Sequence, residues 1–236
     1  MLISEARFEV TAPDGTPIAV FSTGQGPPIV LVHGAMSDHR NDAPYIAELA
    51  RTFTVFAMDR RGRGASGDGG EYSIEREFED IAAVVDEVAD RMTGTVALWG
   101  HSYGADCAMG AAALTPNVHR LVLYEPGLGM PYPEGAVEAV EAALAVGDNE
   151  AAAVALMARV VEMTDEEVDY VRSLPTWTDR LEIVPSVPRE LKAESSWVYL
   201  PGWLDGVTAQ ALLLADRKST RLNSSHSQQS RMPSSA

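Results

Sequence analysis

The sequence predicts an α/β fold: a mostly parallel sheet sandwiched by helices and carrying a helical cap. Three observations predict it. Short apolar runs alternate with amphipathic stretches between residues 28 and 124, helical patterns follow one another without strands from about 127 to 206, and an apolar run resumes at 210–215. Taken in order, Arg7–Thr11 alternates, and after the turn at Pro13-Asp14-Gly15 the run Pro17–Thr23 completes a hairpin. Pro28-Ile29-Val30-Leu31-Val32-His33-Gly34 is unbroken and apolar up to its last two residues, the mark of a strand buried on both faces. Residues 41–51 suit a helix, Phe53–Met58 a second buried strand, and Gly62, Gly64, Gly67, Gly69 and Gly70 a loop.

Ser73 caps the next helix with Glu77 nearby, and Ile74, Phe78, Ile81, Val84, Val85 and Val88 form its apolar stripe. Thr95–Trp99 is a strand, Ala105–Leu114 a small-residue helix and Arg120–Tyr124 a further strand. Helical stretches near 134–146, 149–163 and 165–173 follow, then segments punctuated by Pro175, Pro185, Pro188 and Pro201. Ala211-Leu212-Leu213-Leu214 reads as a buried strand within 210–215. The expected organisation is a core over 1–126, a cap inserted over 127–206, a resumed core strand in 207–215 and a tail over 216–236.

Charge and cysteine usage narrow the function classes. Lys+Arg 18 against Asp+Glu 34 gives a net charge of −16, which argues against nucleic-acid or phosphate-rich partners. Cys107 is the single cysteine, so no internal disulfide ties the chain to an oxidising compartment. The segment Met1–Arg7 has no basic region followed by an apolar one, and the apolar runs are too short to span a bilayer. The expectation is a cytoplasmic-type protein with a small-molecule partner and no membrane partner; composition leaves its oligomeric state open.

Residues 216–236 differ from the rest. They hold one acid, four bases and seven serines, with no apolar periodicity. Asp216-Arg217-Lys218-Ser219-Thr220-Arg221-Leu222-Asn223-Ser224-Ser225-His226 resembles the translation of a common short-read sequencing adapter, and 229–236 fits its continuation. The alternative is a natural polar tail. On the adapter reading the tail is non-native and loosely placed, and the native chain continues differently after Ala215.

The sharpest chemical signal is Val96-Ala97-Leu98-Trp99-Gly100-His101-Ser102-Tyr103-Gly104-Ala105. An apolar strand running through Gly-x-Ser-x-Gly into a helix holds the serine on a tight turn and projects its hydroxyl into a cleft. Gly100 and Gly104 leave room for neighbouring backbone, and the helix start directs the Tyr103 N–H at developing negative charge. His33-Gly34 ends its strand beside this point, so the Ala35 N–H (or that of Met36) is a second oxyanion donor. The His33 ring itself reads as structural, bonded to loop backbone.

These residues resemble the α/β-hydrolase superfamily, in particular its small enzymes with a helical cap. The resemblance runs over residues 7–215 through His33-Gly34, Asp59-Arg60-Arg61-Gly62-Arg63-Gly64-Ala65-Ser66 and the elbow at Ser102. It implies an α/β-hydrolase fold, here truncated before the last strand and helices, with Ser102 as nucleophile. It also implies that Arg61 and Arg63 support the site rather than react, phosphate binding being the alternative. A triad in the order Ser…Asp/Glu…His needs a histidine after the serine. His101 is turned away by the elbow, His39 precedes the serine, His119 reads as a surface residue, and His226 lies in the tail.

Glu125, in Leu123-Tyr124-Glu125-Pro126, is either the acid, as some relatives place it at that strand end, or a polar residue at the pocket mouth. Trp177, Trp197, Tyr199 and Trp203 either line an acyl pocket or simply pack, and Asp165-Glu166-Glu167 reads as a solvated helix face. The resemblance calls for no metal or organic cofactor. The implied activity is serine-dependent hydrolysis of a small ester, amide or related carbonyl compound by the full-length form, the truncated chain being inactive and prone to aggregate. Cofactor-free perhydrolysis, C–C bond hydrolysis on the same elbow, and a non-catalytic ligand-binding fragment are the alternatives; serine at 102 argues against haloalkane dehalogenation. On the adapter reading, deletion of 216–236 shifts the melting temperature by no more than about 2 °C, the change expected of a fraction of a kcal/mol in a chain of this size, as thermal denaturation would show.

Overall fold

The computed structural model describes residues 6–129, 131–198 and 200–215. Strands β1 (Ala6–Thr11) and β2 (Pro17–Gly24) form the hairpin. Then come β3 (Pro28–Val32), α1 (Ala43–Leu49), β4 (Thr54–Met58), α2 (Ile74–Met92), β5 (Val96–His101), α3 (Tyr103–Ala112) and β6 (Val118–Tyr124). After the cap, β7 (Gln210–Leu214) returns to the sheet. The strand order is β1-β2-β4-β3-β5-β6-β7, antiparallel at β1–β2 and β2–β4 and parallel from there on. This is the α/β-hydrolase fold, a mostly parallel sheet with helices. Val30, Val32, Phe56, Met58 and Leu98 face α2 and α3, while Ile29, Leu31, Val55, Ala57 and Ala97 face α1.

The cap is built from α4 (Ala136–Ala145), α5 (Asn149–Ala155), α6 (Asp165–Arg172), α7 (Trp177–Ile183) and α8 (Val187–Ser196). Thr164 and Glu167 close a capping box at the start of α6. The prolines read as punctuation, Pro185 and Pro188, sit instead at the first positions of a short 3-10 turn and of α8, where a missing N–H costs nothing. The cap has its own core of Val140, Ala152, Leu156, Met157, Val184, Val187 and Leu191. Met36, from the loop after β3, is buried in it.

Two expectations need correcting. β7 pairs with β6 in parallel, but Leu212, Leu213 and Leu214 are 52%, 54% and 42% exposed, because no described element crosses its faces. Ser73 does cap α2 by accepting from the Arg76 N–H, but Glu77 turns inward to a buried arginine instead of closing the cap. Of the two readings of the tryptophans, packing is what Trp197 and Trp203 show: they meet edge-on at 5.1 Å, and Trp197 lies edge-on and Trp203 tilted against Phe78 of α2 at 5.4 and 5.7 Å. Tyr199 and the tail lie outside the described residues.

Cap and core are joined by buried charge. Arg60, Arg63, Glu77 and Glu190 are each at most 1% exposed. Arg60 donates Nη1 to Glu77 Oε1 at 2.7 Å and Nη2 to both oxygens of Glu190 at 3.1 Å. Arg63 donates to the same Glu190 and to Ser186. Two cations and two carboxylates balance, which is the condition under which such a cluster is tolerated away from water. Arg61 is separately held by Asp80 at 2.7 Å and Asp14 at 3.0 Å.

A second junction uses a proton. Asp106 of α3 accepts the N–H groups of Gly127 and Leu128 at 2.8 and 2.9 Å, tying down the chain where it leaves β6 for the cap. Glu194 of α8 hydrogen-bonds to Asp106 and accepts from the Tyr132 hydroxyl, and burial followed by the Asp106 charge pushes its carboxyl up to about 8.

Glu190→Ala would leave Arg60 and Arg63 sharing a single buried carboxylate. It is expected to cost about 3–5 kcal/mol of unfolding free energy by chemical denaturation, and a loss below about 1 kcal/mol would contradict the clamp. Because the folded pKa of Glu194 is raised, its stabilising contribution is full below the ordinary carboxylate value of 4.5 and is lost as pH rises through about 8. Glu194→Gln should therefore raise the melting temperature relative to wild type at about pH 9 more than at about pH 5; an equal effect at both would refute the assignment.

Candidate active site

Ser102 lies between β5 and α3 at φ 52° and ψ −129°, a conformation that side chains seldom adopt and that persists only where the surroundings enforce it. The surroundings here are tight. A Cβ on Gly104 would lie 2.3 Å from the His33 carbonyl oxygen and 2.7 Å from that of Val32, so only glycine lets α3 begin against the end of β3. The Ser102 N–H donates to the Tyr124 carbonyl at 2.8 Å, which fixes the turn to β6. The Tyr103 N–H is then the first donor of α3, one of those that helix geometry leaves without an intrahelical partner.

Opposite stands the loop His33-Gly34-Ala35-Met36. A Cβ on Gly34 would come within 3.3 Å of Ser102 Cβ. The carbonyls of this loop are all held from behind. Arg60 Nε donates to His33 O at 3.1 Å, Arg60 Nη2 to Gly34 O at 3.2 Å, and Arg63 Nη2 to Ala35 O at 2.9 Å. From the cap side, Arg180 Nη1 donates to Met36 O at 2.7 Å.

His33 is fully enclosed. Its Nε2 accepts the Arg60 N–H at 3.0 Å, so the proton sits on Nδ1, which donates to Gly34 O at 2.9 Å. Burial holds the ring well below the usual histidine range, keeping it neutral. The Tyr103 ring is buried beneath Arg60, whose guanidinium lies 5.0 Å from the ring centroid, and its hydroxyl pairs with Tyr72 at 2.9 Å.

The other histidines are placed as follows. His101 stacks on Tyr124 with centroids 5.1 Å apart and lines a cleft with Asp42, Tyr45 and Trp99 on the α1 face of the sheet; burial lowers its pKa. His39 bonds through Nδ1 to Asp59 Oδ1 at 2.7 Å and stacks on Phe21 at 3.7 Å. His119 lies on β6, exposed. No hydrogen bond joins any of them to Ser102 among the described residues.

Glu125, at φ 52°, ends β6 half-buried, and its N–H donates to Leu214 O at 2.8 Å, so β7 fixes its position. Its charge acts on His101.

Asp38, His39 and Asp59 bring ligand-type atoms within 4.8 Å of one another, but they do not suit a cation. Asp59 accepts N–H groups at both oxygens, from His39 and Ala65, and Asp38 likewise at both, from Arg40. Those donors leave the cluster as a loop brace.

Sequence reasoning missed Glu190, Glu194, Asp106 and Arg180. The first two were detectable: on α8 they fall in one stripe with Val187 and Leu191, where a carboxylate signals burial against a cation. Arg180 gave no signal, since Met36 is 144 residues away.

A family model described as "Alpha/beta hydrolase family" matches residues 29–234. The crystal structure of an alpha/beta hydrolase from Sphaerobacter thermophilus superposes with a TM-score of 0.78 at 31% identity, covering 92% of this chain and 86% of that one. Among curated relatives, 2-(acetamidomethylene)succinate hydrolase of Mesorhizobium japonicum is 35% identical over 42% of this chain and 35% of its own length. A non-heme haloperoxidase of Rhodococcus erythropolis is 37% identical over 40% of this chain and 34% of its own length. The chain thus spans about a third of the length of these curated relatives. Sheet order, elbow and matched family profile agree, and the chain belongs to the α/β hydrolase family.

Proposed function

We propose that Ser102 is the nucleophile of a hydrolase acting on a small ester, amide or related carbonyl compound. The observation that carries this reading is the Ser102 turn itself: a backbone at positive φ held by Gly104 against the end of β3, with Gly34 so close that a Cβ there would come within 3.3 Å of Ser102 Cβ. Ser102 Oγ attacks the carbonyl carbon and the developing oxyanion takes hydrogen bonds from the N–H of Ala35 (or Met36) and of Tyr103. A base accepts the Oγ proton and returns it to the leaving group as the acyl-serine forms; water then releases the acid by the reverse sequence. Glu125 is the acid candidate that β7 positions beside His101.

No described histidine bonds to Ser102, so among the described residues the proposed attacking group and oxyanion donors stand without a base. Loss of a triad base typically lowers turnover by factors on the order of 10⁴ to 10⁶, and near-background ester hydrolysis is the expectation for this chain. Perhydrolysis on the same elbow is the second reading, favoured by the likeness to a haloperoxidase.

In a full-length form that carries the base, a fluorophosphonate probe should label the protein, and Ser102→Ala should abolish labelling as read by intact-mass spectrometry. Equal labelling of the variant would refute the assignment.

A further inference from the structure

Glu125 at φ 52° and Leu128 at φ 53° lie together in residues 125–129, by which the chain leaves β6 for the cap. Residues with side chains seldom take up that backbone conformation, so the stretch depends on what holds it. The Glu125 N–H donates to Leu214 O at 2.8 Å. Asp106 of α3 takes the Gly127 N–H on Oδ2 at 2.8 Å and the Leu128 N–H on Oδ1 at 2.9 Å, so both of its oxygens are turned to the stretch.

Glu194 of α8 closes on the same place. A Cβ on Gly127 would lie 2.4 Å from Glu194 Oε1 and 3.2 Å from Asp106 Oδ2, so the two carboxyl groups stand directly against the stretch. Two negative charges there would repel, and a proton carried by Glu194 and donated to Asp106 removes the conflict. Through Oε2 Glu194 accepts from the Tyr132 hydroxyl; burial, followed by the Glu194 charge, raises the Tyr132 pKa, so that hydroxyl remains a donor. The other charged groups around α8 are engaged with one another. Glu190, one turn earlier on α8, is held by Arg60 and Arg63, Glu77 of α2 by Arg60, and Glu141 of α4 by Lys192.

We infer that Asp106 and Glu194 form a proton-operated latch on residues 125–129: with the proton shared between them the stretch is held against α3, and with the proton gone it lets go while the rest of the fold stays in place. The latch stands whether or not Ser102 reacts, but it reaches the proposed acid, because Glu125 is the first residue of the stretch. Its sign follows from the raised carboxyl. Burial, followed by the Asp106 charge, pushes Glu194 up to about 8 in the closed form, and opening returns it toward its ordinary 4.5. Opening is therefore favoured by roughly tenfold per pH unit between about pH 5 and 8, and gains nothing further above about 8.

The test is amide hydrogen exchange of the full chain, read by mass spectrometry on peptides covering residues 125–129 and α2, with rates corrected for the intrinsic effect of pH. Protection of 125–129 should fall by roughly 50-fold between about pH 5.5 and 7.5 and change by less than about twofold between about pH 8.5 and 9.5. At every pH it should stay below the protection of α2, because the stretch opens without the rest. Glu194→Gln keeps a donor toward Asp106 and carries no titrating proton, so it should flatten the pH dependence. Protection of 125–129 that is flat from about pH 5.5 to 7.5, or an undiminished slope in Glu194→Gln, would overturn the latch. Exchange of 125–129 no faster than that of α2 would overturn it too, since the stretch would then open only with the whole molecule. Should Glu194→Gln fail to fold, the wild-type slope and the comparison with α2 decide.

Discussion

The buried ion cluster of Arg60, Arg63, Glu77 and Glu190 is the constraint on which the site depends. Strand β4 ends at Met58, and after Asp59 the chain places Arg60 and Arg63 in the space between α2, α3, the loop after β3 and the cap. Charges there are costly unless every one is balanced and hydrogen-bonded. Glu77 comes from the core and Glu190 from the cap, so charge balance requires the cap to be seated. The same guanidiniums also donate to the carbonyls of His33, Gly34 and Ala35. Cap docking and the geometry of the loop after β3 are therefore one event, linked through shared donors.

Two further features tighten that link. Met36 is at once a loop residue and a member of the cap core, and Arg180 grips its carbonyl from above. Tyr103, the first residue of α3, has its ring under Arg60 and its hydroxyl on Tyr72, which in turn donates to Glu77 at 2.9 Å. Both proposed oxyanion donors thus stand on residues that touch the cluster. If these donors serve the proposed oxyanion, such preorganisation is most effective where water is excluded and the dipoles cannot relax.

Much of this was legible in the sequence because it follows from local rules. Unbroken apolar runs gave the parallel strands, and Gly100-x-Ser102-x-Gly104 after a strand gave the elbow, since glycines there answer a steric demand made by adjacent backbone. The hairpin at Pro13-Asp14-Gly15 and the cap at Ser73 were read from residues that satisfy their own backbone. What escaped was long-range. That Glu77 leaves its helix cap for Arg60, or that Glu190 reaches Arg60 across 130 residues, depends on which elements the fold brings together. Trp197 and Trp203 have a composition that suits pocket lining or packing, and only the fold shows them packed against Phe78. The exposed leucines of β7 carry a buried strand's pattern without a cover among the described residues.

The central claim is that Ser102 and the Arg-held loop form one oxyanion site. A crystal structure of a form that carries the base, after reaction with a small alkyl fluorophosphonate, tests it most directly. The account predicts phosphorus bonded to Ser102 Oγ, with the phosphoryl oxygen within hydrogen-bond distance of the Tyr103 N–H and of the Ala35 or Met36 N–H. An adduct on another residue, or a phosphoryl oxygen turned away from both backbone donors, would contradict it.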